Sequence, residues 1–159
     1  MYGHSLGGAS AAEAMLLNDR ILGGADLDGQ IFNSVLSQGI SRPFLLFGRP
    51  NHRTEDTSWV QFWGNLRGPK IEMELQGSVH GAFTDFPVLL HSLGLPAQYQ
   101  SGIETIVGTI DGIELVVEAI ATFFTFVLHG STSKLLELVN ATSELKVVSQ
   151  KLAVNTSKN

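Results

Sequence analysis

At 159 residues, with 43% hydrophobic and 16% charged side chains, the chain has apolar content enough for one globular core and too much for a disordered segment. A formal net charge of −5, with lysines and arginines scattered singly, leaves no basic stripe for a phosphate backbone and argues against nucleic acid as a partner. There is no cysteine, so a disulfide framework, a thiolate metal site and a cysteine nucleophile are all excluded, and no motif calls for a metal or another cofactor.

In chain order, residues 7–17 are rich in alanine and leucine after two glycines, which predicts a helix stopping at Asn18-Asp19. Residues 21–27 read as a short strand closed by Asp28-Gly29. Residues 43–48 form a continuous apolar run ending in glycine, the pattern of a strand buried on both faces of a parallel sheet. A polar loop over 51–57 leads to a helix around Trp59 to Trp63. In residues 70–75, Ile71, Met73 and Leu75 alternate with Glu72 and Glu74, which predicts a strand near a sheet edge. Strand and helix alternate, so the expected sheet is parallel with right-handed crossovers. Beyond His80 the predicted elements are a short helix over 86–95, a linker over 96–102, and two helices over 112–128 and 133–152 joined at Gly130-Ser131. The second helix is expected to be amphipathic, covering the sheet or a partner. The apolar stretch 113–128 carries Glu114 and Glu118 and is too short for a spanning helix, which leaves it buried or facing lipid.

The strongest local signal is Gly3-His4-Ser5-Leu6-Gly7, a G-x-S-x-G nucleophile elbow at the start of a helix. A sharp strand-to-helix turn exposes the serine hydroxyl above a sheet, and only glycines two residues to either side, Gly3 and Gly7, let the backbones pass so closely. The helix N-terminus favours developing negative charge, and the backbone N–H of Leu6 is a candidate oxyanion-hole donor. Gly77-Ser78-Val79-His80-Gly81 follows the strand over 70–75, which sets His80 in a loop at the carboxyl edge of the sheet, where catalytic groups of α/β folds collect. Among His4, His52, His80, His91 and His129, the chain order serine, acid, histidine selects His80 as the base. For the acid, Asp28 after the second strand and Glu55 or Asp56 after the third are all topologically allowed, and Asp26 reads as structural. Trp59, Phe62, Trp63 and Phe83 are candidates to line an apolar substrate entrance, with a core role as the competing assignment.

Three segments taken together, residues 3–9, 24–29 and 77–86, resemble the platelet-activating factor acetylhydrolase family, its fungal-type members above all. The resemblance covers about residues 2–95 and implies the C-terminal half of an α/β-hydrolase fold over residues 1–100, a parallel sheet flanked by helices. A helical C-terminal extension would follow over residues 101–159. In that family the acid follows the strand after the nucleophile helix, which selects Asp28 and completes Ser5, Asp28 and His80 as the implied triad. The implied chemistry is calcium-independent hydrolysis of short acyl esters, such as an sn-2 acetyl group of a phospholipid, through an acyl-enzyme. A broader short-chain carboxylesterase or lipase and a non-catalytic fragment are the alternatives. The family's upstream strands and second oxyanion donor are expected outside this chain, and a sheet edge left open would invite self-association or lipid-surface contact. Asn140-Ala141-Thr142 and Asn155-Thr156-Ser157 match the N-glycosylation acceptor pattern and would matter in a secreted full-length form, although the N-terminus carries no signal-peptide pattern.

Overall fold

The structure is a computed structural model that describes residues 1–95 and 108–152, together with Tyr99, Gly102 and Thr105. Most of the predicted linker over 96–102 therefore lies outside the described residues. A five-stranded sheet runs in sequence order, with β1 (Tyr2–His4), β2 (Gly24–Leu27), β3 (Phe44–Gly48) and β4 (Lys70–Leu75) parallel and β5 (Leu145–Lys151) antiparallel to β4. Between the parallel strands lie α1 (Leu6–Leu17), α2 (Ser34–Gln38), α3 (His52–Glu55) and α4 (Ser58–Asn65). A 3₁₀ turn, His80–Phe83, follows β4, and α5 (Phe86–Ser92), α6 (Ile110–His129) and α7 (Ser133–Ala141) precede β5. With its parallel strands and crossover helices, the chain has the α/β-hydrolase type of architecture expected from its sequence.

Strand alternation divides the core into two layers. Phe44 and Leu46 of β3 face one side, where they pack with Ala12 and Met15 of α1, Val35 of α2 and Trp59 and Phe62 of α4. Leu45 and Phe47 face the other side, with Ile71, Met73 and the stripe Ile113, Val116, Ala119, Phe123 and Phe126 of α6. That stripe recurs every three or four residues, as one face of a helix requires. Thr109 caps the start of α6 by accepting a hydrogen bond from the Gly112 N–H (3.1 Å), and Gly130 ends it in the left-handed conformation, φ 75°.

The C-terminal region corrects the expectation of a helix over 133–152. Only residues Ser133–Ala141 are helical, and Leu145–Lys151 is a strand paired with β4. Thr142 and Ser143 interrupt the helix because their side chains compete for backbone hydrogen bonds, and the Leu145 N–H closes a turn onto the Thr142 carbonyl (3.2 Å). From there burial alternates, with Leu145 and Val147 turned inward and Lys146 and Val148 outward, a period of two rather than 3.6. A register shift opposite Glu72 and Met73 marks a bulge at this pairing. As a result β4 is not at the sheet edge, and all six of its residues are buried. Its acidic residues are buried with partners: Glu72 pairs with Arg53, while Glu74 accepts from the Asn51 N–H (3.1 Å) and Lys146 Nζ (3.1 Å).

Candidate active site

Successive strands deliver one polar group each to a single edge of the sheet: Ser5 after β1, Asp28 after β2, Arg49 after β3 and His80 in the turn after β4. The parallel ladder continues past the strand ends, since the Ser5 N–H donates to the Leu27 carbonyl (3.0 Å) and the Asp28 N–H to the Phe47 carbonyl (2.8 Å). Both residues then leave the sheet in the left-handed region, Ser5 at φ 55° and Asp28 at φ 54°. For non-glycine residues this conformation is strained by about 1–3 kcal/mol, and such strain gathers at functional sites. The elbow persists because its surroundings leave no alternative. A Cβ on Gly3 would lie 2.3 Å from the Gly7 carbonyl carbon, and one on Gly29 would lie 2.2 Å from the Ser5 oxygen. Gly7 itself has open space where a Cβ would be, so close passage rests on Gly3 and Gly29 rather than on a glycine at each flank. Gly8 makes room for Asp26, whose Oδ1 would be 1.7 Å from an added Cβ. Leu6 opens α1, and its N–H belongs to the first turn, whose donors the helix itself does not use.

Asp28 is buried and fully hydrogen-bonded. Its Oδ1 accepts from the Arg49 backbone N–H (2.9 Å) and lies 2.8 Å from His52 Nδ1. Its Oδ2 accepts from Arg49 Nη1 (2.7 Å) and lies 2.7 Å from His80 Nδ1. Burial alone would raise this carboxyl, but the bonds from His52, the Arg49 N–H and His80 hold it well below the usual carboxylate range. An ionised carboxylate only accepts, so His80 Nδ1 carries the proton and donates, leaving Nε2 of the neutral ring as an acceptor. His4, immediately before Ser5, tilts against the His80 ring with centroids 4.3 Å apart, and its Nε2 donates to the His80 carbonyl (3.0 Å). Burial, and next the proximity of His80, lower the His4 ring. Ser5, Asp28 and His80 line one open cleft of about 500 Å³, together with Gln30, Arg49, His52, Glu55 and Asp56.

The alternative acids are placed elsewhere. Glu55 binds Arg49 Nη2 at 2.5 Å, and Asp56 Oδ1 accepts from the Ser58 N–H (2.9 Å). Asp26 lies under the elbow, where it accepts from the Gly29 N–H (3.1 Å) and Trp59 Nε1 (3.1 Å). The proposed aromatic entrance is corrected at three of its four positions. Trp59, Phe62 and Phe83 are core residues at 1%, 0% and 4% exposure, and Phe83 packs edge-on against Phe47 at 5.3 Å. Trp63 is half-buried and lies under Lys70 Nζ at 4.7 Å. Arg49 escaped the sequence reading, and His52 entered it only as a candidate base set aside by chain order; the signal available was a basic side chain just after the third strand, on the carboxyl edge. Among the described residues, no group of three histidine, aspartate or glutamate side chains is placed to hold a metal ion, and no helix is long and apolar enough to cross a membrane.

The strand order, the elbow and the site at the carboxyl edge are those of an α/β-hydrolase fold. A solved ferulic acid esterase from Streptomyces cinnamoneus has the same fold, with a TM-score of 0.76 and 30% sequence identity over 93% of this chain and 46% of that one. In sequence the chain is similar to a probable 1-alkyl-2-acetylglycerophosphocholine esterase from Arthroderma benhamiae, 28% identical over 86% of this chain and 39% of the relative. That relative is of the platelet-activating factor acetylhydrolase type, in agreement with the resemblance carried by the three sequence motifs. No family model matches the chain. The chain spans less than half the length of either relative.

Proposed function

We propose that the chain carries the catalytic half of a serine carboxylesterase, with Ser5 as nucleophile, His80 as general base and Asp28 as the acid that orients it. The observation that carries this reading is the 2.7 Å bond from His80 Nδ1 to the buried Asp28, in the cleft that Ser5 also lines. With Nδ1 protonated, His80 Nε2 takes the Ser5 hydroxyl proton as Oγ forms a bond to the ester carbonyl carbon. The negative oxygen that develops is met by the Leu6 N–H at the start of α1. Collapse breaks the bond to the leaving alcohol, whose oxygen receives the proton held by His80. Water then repeats the sequence on the acyl-enzyme, releasing the carboxylic acid and restoring Ser5.

The substrate reading is a short sn-2 acyl ester of a phospholipid, supported by the sequence relative named for an acetylglycerophosphocholine ester. A broader carboxylesterase is the second reading, favoured by the structural similarity to a ferulic acid esterase. Activity falling steeply with acyl length supports the first, and turnover of hydroxycinnamoyl esters supports the second. Asn140 is exposed near the end of α7, which keeps it accessible to glycosylation if the full-length protein is secreted.

The test is labelling of the purified chain with a fluorophosphonate probe beside Ser5→Ala and His80→Ala. The expected result is labelling abolished by the first substitution and slowed at least about a hundredfold by the second, the size of a general-base contribution. Labelling that survives in Ser5→Ala, or none in folded wild type, overturns the assignment for this chain.

A further inference from the structure

Ser5 and His80 follow strands that do not touch, β1 and β4, with β2 and β3 between them. His4, the last residue of β1, spans that gap. The row paired across the sheet from it is Leu27, Phe47 and Met73, all in the core on the α6 face. Side chains paired along such a row share a face of the sheet, so His4 is the polar end of an otherwise apolar line. Tyr2, two residues earlier, lies on the same face, and its ring meets Phe124 of α6 at 6.0 Å.

The 3₁₀ turn that carries His80 is fastened to this row at both ends. At one end Phe83 packs edge-on against Phe47, with centroids 5.3 Å apart. At the other, the His80 carbonyl accepts from His4 Nε2 (3.0 Å), and the two rings lie 4.3 Å apart at 42°. A carbonyl only accepts, and no second donor approaches His4 Nε2 among the described residues, so that nitrogen carries the proton. His80 is therefore held twice, its ring by Asp28 at Nδ1 (2.7 Å) and its main chain by His4.

We propose that His4 is a positioning residue for the base: its Nε2–H pins the main chain of His80 to the residue next to the nucleophile. A single bond at Nδ1 leaves the imidazole free to swing about Asp28 Oδ2, and the second anchor removes that freedom. Because His4 and Ser5 are consecutive, a movement at the end of β1 carries nucleophile and base together. The inference rests on the assignment of Ser5, His80 and Asp28 as the reacting set. The fold itself has little stake in the bond. It lies at the surface, where the His80 side chain is 49% exposed, while Phe83 is buried and keeps the turn on the core.

Two variants separate the bond from the ring. His4→Gln keeps an N–H at about the reach of Nε2 without the ring, and His4→Phe keeps a ring without the N–H. Fluorophosphonate labelling of the whole chain is followed against probe concentration, the reactive sites are titrated, and near-ultraviolet circular dichroism and a melt report folding. For His4→Phe the expected labelling rate per site at saturating probe is about tenfold to a hundredfold lower, the size of a small misplacement of a reacting group. Its half-saturating concentration should be unchanged and its melting point within about 4 °C of wild type, as one surface hydrogen bond allows. His4→Gln is expected to restore most of the rate. A His4→Phe chain that labels at the wild-type rate overturns the proposal, and so do two variants that are equally slow. Fewer reactive sites with an unaltered rate per site is the mark of a structural role only and overturns it too. If the wild type is not labelled at all, the assignment of Ser5 has failed, and the low-field NMR signal of the His80 Nδ1 proton decides for His4 alone. A signal sharp in the wild type and in His4→Gln but broadened by exchange in His4→Phe supports the second anchor, and any other pattern overturns it.

Discussion

Raising the pH from about 5 to about 8 should destabilise the chain, and Asp26 is the reason. Its carboxyl is wholly buried beneath Gly8, with the Trp59 Nε1–H and the Gly29 N–H as its donors. Burial pushes it up to about 7 from 3.8, against the opposing charge of His52 and those two hydrogen bonds. The folded chain therefore keeps a proton between about pH 4 and 7 that the unfolded chain has already released. By linkage, folding stability falls across that window and levels off above it. A shift of about three units corresponds to roughly 4 kcal/mol, with a slope approaching 1.4 kcal/mol per pH unit in mid-window. His52 acts with the same sign but later: its raised value gives stability that is full below about 6.5 and lost as pH climbs through the folded value. Asp28 acts oppositely, its contribution being present above about 3.8 and lost only as pH falls further. Urea unfolding at half-unit intervals from about pH 4.5 to 8 measures the slope. Asp26→Asn supplies the control, because its amide places an N–H against a donor at a pH-independent cost of about 1–3 kcal/mol but has no proton to lose. Wild type and Asp26→Asn losing stability in parallel between about pH 4.5 and 6.5 would refute the reasoning.

Gly3→Ala should open the elbow, because its Cβ meets the backbone at Gly7, 2.3 Å away, rather than a flexible side chain. A melting point lowered by several degrees together with at least about tenfold slower Ser5 labelling is expected, from about 1–3 kcal/mol of overpacking strain. Trp59→Phe keeps most of the ring but removes the N–H that serves Asp26 Oδ2 (3.1 Å) and the Gly29 carbonyl (2.7 Å). A loss of about 1–3 kcal/mol in urea unfolding is expected, since two buried acceptors lose one donor.

What the sequence made legible is chemistry confined to short contiguous segments. Gly3 to Gly8 encodes a turn recognisable from residues that are neighbours in the chain, although its tightness also rests on the distant Gly29, and residues 70–75 encode a strand whose alternation is visible one residue at a time. The resulting strand order then carries Ser5, Asp28 and His80 to one edge, because parallel strands joined by crossovers all end on the same side. Partners distant in sequence were harder to read. Glu72 and Glu74 look like the solvent face of an edge strand until β5, more than sixty residues later, covers it and Lys146 reaches Glu74. Leu138, Leu145 and Val148 sit at spacings that a helix would also satisfy, and only the break at Thr142-Ser143 separates the two periods. Trp59 resembles an exposed lipid-facing aromatic in sequence, yet its N–H is committed to a carboxylate in β2 and its ring to His52. The same physics hides the clamp on Asp28. Arg49, just after β3, and His52, at the start of α3, have no recognisable spacing in the sequence, and they gain meaning only because φ 54° at Asp28 turns its carboxylate out of the β2 ladder toward the end of β3.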